Sequence, residues 1–179
     1  MKLLRRAALA ASAVVLASTA LASPAFADLR TFRDAAGDTG SARDLTRVRV
    51  NNGADGGTRV RVAAHVGDLN LLDATTFWLD TAGLDAGPEY KVVVLPNTDG
   101  MALEVVDTFR DDGRRIRCRN LVARADAGGR DVVSISVPRL CMGGPGRVRV
   151  SVRTRFVSAT PDIVDWAPRR QAFFGWVRR

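Results

Sequence analysis

The stretch Asp131–Phe156, DVVSISVPRLCMGGPGRVRVSVRTRF, limits the possible folds more than any other part of the sequence. Val133, Ile135 and Val137 alternate with smaller or polar residues on one side of a Pro- and Gly-rich break. Val148, Val150 and Val152 alternate with Arg147, Arg149, Ser151 and Arg153 on the other. A strand sends successive side chains to opposite faces, so each run predicts a β-strand with one buried and one solvated face. Cys141 sits at the break between them.

The same period recurs along the chain. Thr46 to Asn51 sets Val48 and Val50 against Arg47 and Arg49, and Arg59 to Val66 sets Val60, Val62, Ala64 and Val66 against Arg59, Arg61 and His65. Between them, Asn51-Asn52-Gly53 and Asp55-Gly56-Gly57 supply residues that tolerate positive φ. The pair therefore predicts an antiparallel hairpin with an arginine-rich outer face. Further strands are expected at 28–32, 75–80, 90–95, 101–106, 115–120 and 172–177. The unbroken apolar run Val92 to Leu95 suits a strand covered on both faces. Leu69, Leu71 and Leu72 are expected to plug one end of the core, and residues 160–168 read as irregular. No stretch carries the 3.6-residue period of an amphipathic helix. The inventory points to an all-β fold, a two-sheet antiparallel β-sandwich, with a closed β-barrel as the alternative.

The N-terminus has a different character. Lys2, Arg5 and Arg6 precede an Ala/Val/Leu-rich stretch, and Ala25-Phe26-Ala27 offers small residues where a signal peptidase reads. Residues 1–27 are accordingly expected to be a cleaved signal peptide, leaving a single domain of residues 28–179, secreted or associated with the cell envelope. The apolar stretch is too short and too often interrupted by Ser and Thr for a spanning helix. Removing the three basic residues lowers the formal charge from +8 to +5, and Lys91 is then the one lysine left among arginines. In an oxidising compartment the two cysteines, Cys118 and Cys141, are expected to form one disulfide, adding about 3 kcal/mol in the chain-entropy picture.

Three segments carry a family resemblance: Asp34-x-x-Gly37-Asp38 followed by Asp44-Leu45-x-x-Val48-x-Val50; Val137-Pro138-Arg139-x-Cys141-x-Gly143-x-Pro145-x-x-Val148-Arg149-Val150; and Asp165-x-Ala167-Pro168 with Trp176-Val177. Together they resemble small secreted actinobacterial β-sandwich proteins of unassigned activity. In architecture the chain is also similar to carbohydrate-binding family 9 and DOMON-like domains. The resemblance implies a secreted sandwich, and a sandwich by itself selects no chemistry. DOMON-like domains that hold haem use Met and His ligands; Met101, Met142 and His65 lack that context, so haem is not implied.

Candidate sites follow from residue chemistry. The one histidine, His65, lies among arginines with no nucleophile elbow, and a non-enzymatic protein is expected. Asp80, Glu104 and Asp107, on or near strands, are the residues a carboxylate-dependent hydrolase would draw on. Cys and His spacing matches no zinc set. Asp34, Asp38 and Asp44, in or beside a Gly-containing loop, are the candidate ligands for calcium; otherwise they serve as turn caps. Trp78 and Trp166 are candidate sugar-stacking rings, with core packing as the competing role. Arg147, Arg149, Arg153 and Arg155 share one strand face, and Arg47/Arg49 and Arg59/Arg61 repeat the pattern. Aligned on neighbouring strands, such faces would form a basic patch for a cell-wall glycan or other polyanion; otherwise they keep the strands soluble. Nucleic acid is not the expected partner, since there is no nucleic-acid motif and no interleaved aromatic set. The expected function is a binding module for polysaccharide or anionic wall polymer. The alternative is a protein-interaction or inhibitor domain using the loop from Met142 to Gly146.

Overall fold

The computed structural model describes residues 29–35, 38–39, 42–81, 87–97, 101–110, 112–157 and 161–179. The expected signal segment and Gly37 of the acidic turn lie outside the described residues. Strands come in the order β1 (Leu29–Arg33), β2 (Leu45–Gly53), β3 (Arg59–Val66), β4 (Ala74–Asp80), β5 (Tyr90–Val94), β6 (Leu103–Val105), β7 (Arg114–Ile116), β8 (Val122–Asp126), β9 (Val132–Pro138), β10 (Arg147–Phe156), β11 (Ile163–Ala167) and β12 (Val177–Arg178). They form two antiparallel sheets, β1-β2-β3-β9-β8 and β11-β10-β4-β5-β6-β7, with β12 pairing β10. Neither sheet closes on itself, so the fold is a sandwich and not a barrel. No helix among the described residues is long and apolar enough to cross a membrane.

Period-two patterning builds the core. Val48, Val50, Val60, Val62, Val133, Ile135 and Val137 come from the first sheet. Phe77, Leu79, Val92, Leu103, Val148, Val150, Val152 and Phe156 come from the second. All are at most 2% exposed, and burying each stabilises the fold by about 1.5–3 kcal/mol relative to exposure. The β2–β3 hairpin forms with Val50 opposite Val62 and Arg47 opposite His65. The turn between its strands places Asp55 (φ 53°) and Gly56 (φ 67°) in the left-handed region, as its Asp-Gly-Gly sequence allows.

Several expectations change. The two runs of Asp131–Phe156 fall in different sheets, so their connection crosses the sandwich. The strand expected over 115–120 stops at Ile116, and the chain re-enters the first sheet as β8. Asn120 at φ 61° makes the bend, in a conformation Asn tolerates well. Cys118 lies in that crossing and Cys141 in the 3₁₀ turn Arg139–Met142 after β9; they are bonded, with Cα atoms 5.5 Å apart. Leu69 is buried, but Leu71 and Leu72 are 57% and 55% exposed and plug nothing. Hydrogen bonds between Asn70 and Asp73 fix that turn instead. Residues 163–167, read as irregular, form β11, because pairing with β10 overrides the weak local pattern. Of the expected closing strand only Val177 is paired, together with Arg178. Before it, Phe174 turns inward and stacks on Phe32 with ring centroids 4.6 Å apart.

Candidate functional site

Residues paired across antiparallel strands point to the same face, and the outer face of the first sheet can be read in rows. One runs Thr31, Arg49, Ala63, Ser134, Arg124; the next runs Leu29, Asn51, Arg61, Ser136, Val122. In the first row the central strands β3 and β9 put Ala63 and Ser134 in the middle while Arg49 and Arg124 rise on either side; in the second, Arg61 stands beside Ser136. The result is a groove of two adjoining hollows, about 720 and about 470 Å³, sharing Arg61, Ala63, Arg124 and Ser134. Asp55 holds Arg61 at 2.7 Å and lies 3.7 Å from Arg59, and Asp126 holds Arg130 at 2.8 Å. Arg49 and Arg124 have no carboxylate partner among the described residues. At one end Arg47 Nη2 lies 3.2 and 3.1 Å from the two ring nitrogens of His65. Burial, then Arg47 and Arg49, hold the His65 pKa below its ordinary value, so the imidazole is neutral at pH 7.

The outer face of the second sheet carries the expected ligand residues, and it is largely covered by the chain itself. Trp78 is 0% exposed. It stacks on Trp166 at 4.9 Å and 12°, with Phe109 5.6 Å away. A ring so enclosed is no stacking platform, which corrects the expectation for Trp78; Trp166 is half-buried beside it. The Arg153 guanidinium lies over both tryptophans, 5.1 and 5.5 Å from the ring centroids. Arg149 pairs with Asp80 at 2.5 Å and lies over Trp176 and Phe173. Arg147, exposed, covers the Trp176 ring at 4.4 Å. These three arginines therefore pack against Trp78, Trp166 and the rings of the C-terminal segment on the outer face of the sheet. Lys91, 1% exposed, pairs with Glu104 at 2.7 Å on the same face.

A third constellation lies at one end of the sandwich. Asp34, one residue past β1, Asp38 in the following loop and Asp165 on β11 bring carboxylate oxygens within 4.8 Å of one another. Asp165 Oδ2 accepts the Leu45 amide at 2.5 Å, linking β11 to β2 across the two sheets. Asp34 Oδ2 is buried without a hydrogen-bond partner. Burial first, then Asp165, Asp38 and Asp44, raise the Asp34 pKa to about 7. Burial, then Asp38 and Asp44, raise that of Asp165 to about 6, against the Leu45 and Trp166 amides. The expected calcium set is thus partly regrouped: Asp34 and Asp38 meet Asp165, while Asp44, 4% exposed, lies outside the group of three. A Cβ on Gly67 would meet the Ala42 carbonyl oxygen at 2.2 Å, so glycine lets the end of β3 close on the segment carrying Asp44. Three carboxylates supply part of the oxygen shell calcium takes.

Arg124 and Ser134 escaped the sequence reading, and Asp165 entered it only as part of the resemblance, not as a ligand. Arg124 had a usable signal, since Val122, Arg124 and Asp126 alternate with Ala123 and Ala125. Asp165 had none, because only its pairing brings it to Asp34. No protein-family model matches the chain, and no match is found among curated proteins or solved structures.

Proposed function

We propose that the protein is a secreted, non-enzymatic binding module that takes a linear anionic polymer, such as a cell-wall polyanion, along the outer face of its first sheet. The observation that carries this reading is the groove floored by Ala63 and Ser134 and walled by Arg49 and Arg124. A small-residue floor admits a chain, and guanidinium groups without carboxylate partners on both walls offer forked donors to phosphate or carboxylate. The second sheet supports the reading by contrast, since its arginines are held by aromatic rings and by Asp80.

Sedimentation of the protein with insoluble cell wall tests it, with Arg49→Ala/Arg124→Ala as the variant. The expected result is about a tenfold loss of affinity, near 1.4 kcal/mol for two exposed charges together. Undiminished binding in that variant, or a loss with Arg147→Glu instead, would take the site away from this groove.

A second reading, a protein-interaction domain, is favoured by Leu140. It is 92% exposed on the turn that the disulfide holds, whereas Met142 of the expected contact loop is 3% exposed. A secreted protein crosslinked to the wild type and lost with Leu140→Asp would support this reading.

A further inference from the structure

The outer face of the first sheet carries a third row, in which Arg33, Arg47, His65, Val132 and Asp126 stand opposite one another across β1, β2, β3, β9 and β8. Arg33 and Arg47 are exposed and face each other directly in the β1–β2 register. Like charges so placed destabilise a strand pair. Neither guanidinium has a carboxylate partner among the described residues. The one carboxylate of the row, Asp126, lies two strands beyond His65, its backbone about 9.5 Å away by sheet spacing, and is held by Arg130 at 2.8 Å.

The backbone is shaped to present these groups. The β2–β3 register shifts between Leu45 and Arg47, so Thr46 and Arg47 both face solvent although they are consecutive. Such bulges re-aim side chains on an otherwise regular face. Arg47 touches only the His65 ring, and an imidazole that is neutral at pH 7 gives it no counter-charge. Burial, then Arg47 and Arg49 on β2, keep that ring unprotonated. On its β9 side His65 meets the apolar Val132. The corner therefore gathers cationic and protonatable donors around a place that no acid of the chain fills.

We propose that Arg33, Arg47 and His65 form a site for a doubly charged tetrahedral anion, a phosphate monoester or the free phosphate or sulfate ion. Two guanidinium forks from neighbouring strands can each present paired N–H groups to such an ion. Its charge turns their mutual repulsion into attraction. It also offsets the fields of Arg47 and Arg49 at His65, so the imidazole takes up a proton and becomes a further donor. Binding and protonation thus reinforce one another. A carboxylate or a phosphodiester brings one charge and does less on each count. The site calls on neither Arg124 nor the floor of Ala63 and Ser134, so it stands apart from the polymer reading, and either can fail alone.

His65 is the one histidine of the chain, so its imidazole NMR resonances report on this corner alone. Sulfate, which keeps both charges between pH 5 and pH 8, is titrated against them at ionic strength held constant with chloride. The expected result is a saturable shift at millimolar sulfate, with the His65 pKa about one unit higher when the site is full. By linkage the affinity should then tighten about tenfold from pH 8 to pH 5. Arg33→Ala, a change at an exposed position, should weaken binding about fivefold, whereas Arg155→Ala removes the same charge from the second sheet and should leave it unchanged. Inorganic phosphate and glycerol phosphate distinguish the sources: tighter binding of the ester assigns the site to phosphate monoesters, and tighter binding of the free ion assigns it to the inorganic anion. No saturable shift with sulfate or either phosphate would overturn the proposal. So would an unchanged His65 pKa in saturating sulfate, or equal losses in Arg33→Ala and Arg155→Ala.

Discussion

Arg139 carries a guanidinium into a site that is 4% exposed. Its Nη1 donates to the Asn52 carbonyl at 3.0 Å and to Asn52 Oδ1, and Asn52 Nδ2 donates onward to the Val177 carbonyl at 2.9 Å. One side-chain pair thus joins the turn after β9, the end of β2 and the last strand. The Val-Pro-Arg-x-Cys pattern on which the family resemblance leaned has a physical reading here: Pro138 ends β9, Arg139 is buried, and Cys141 is bridged. Arg139→Ala should destabilise the protein by about 2–4 kcal/mol, because Asn52, 0% exposed, would keep buried acceptors without their donor. Arg139→Ala/Asn52→Ala should cost clearly less than the two single changes added together, since they remove the same bonds. Urea denaturation of the four proteins measures this, and strict additivity would show that the pair is not coupled. Trp78 gives the complementary lesson. Its parity, opposite Phe77 and Leu79, was legible, but what covers the outer face was not, because Trp166, Phe109 and Phe173 arrive from distant segments. Loss of ligand binding in Trp78→Ala would therefore need a stability measurement beside it.

At the scale of elements, the end of β1 and the middle of β11 meet through carboxylates. Asp34, Asp38 and Asp44 were legible as a group because eleven residues contain them. Asp165 was not, since β11 takes its form from pairing with β10. The pKa values of Asp34 and Asp165, about 7 and about 6 against 3.8 for the free group, set the pH dependence. Between pH 3.8 and 7 the folded protein binds more protons at these groups than the unfolded chain, so their contribution to stability falls as pH rises. It is fully present below the unfolded value and is lost through pH 6–7. In chelator-containing buffer the melting temperature should therefore fall from pH 5 to pH 8, beyond any change in Asp34→Asn. At pH 7.5 Asp34→Asn should be more stable than wild type by about 1 kcal/mol, roughly 2–4 °C in a domain of this size. A flat profile, or an Asn variant that melts lower at pH 7.5, would show that these carboxylates do not repel one another. Adding calcium should raise the wild-type melting temperature at pH 7.5 and much less at pH 5, where protons already occupy the acids. A melting temperature indifferent to calcium at both values would remove calcium from this cluster.

For the whole molecule, strand alternation was enough to indicate two sheets, and the pair of cysteines in a chain expected to be exported was enough to indicate the disulfide. The assignment of strands to sheets depends on long-range pairing. It split the best-patterned pair, β9 and β10, between the two layers and brought β8 to the edge beside β9. That edge strand is what turns the expected arginine stripe into a groove: without Arg124 the basic face of β2 and β3 has one wall. The two outer faces then differ in kind, one open and cationic, the other closed by its own aromatic rings. Polymer binding along the open face should weaken with added salt, since each guanidinium that meets a polymer charge displaces a condensed counterion. In Arg49→Ala/Arg124→Ala the slope of log affinity against log salt should become shallower by about two, roughly one per arginine. Arg155, on the second sheet and paired with Asp162 at 2.6 Å, provides the control, and Arg155→Ala should leave the slope as it is. Equal slopes in wild type and the double variant would mean that the polymer does not touch these walls, whatever its affinity. A slope reduced by Arg155→Ala as well would mean that the protein responds to net charge alone, and that alignment of Arg49 and Arg124 across the small-residue floor has no part in binding.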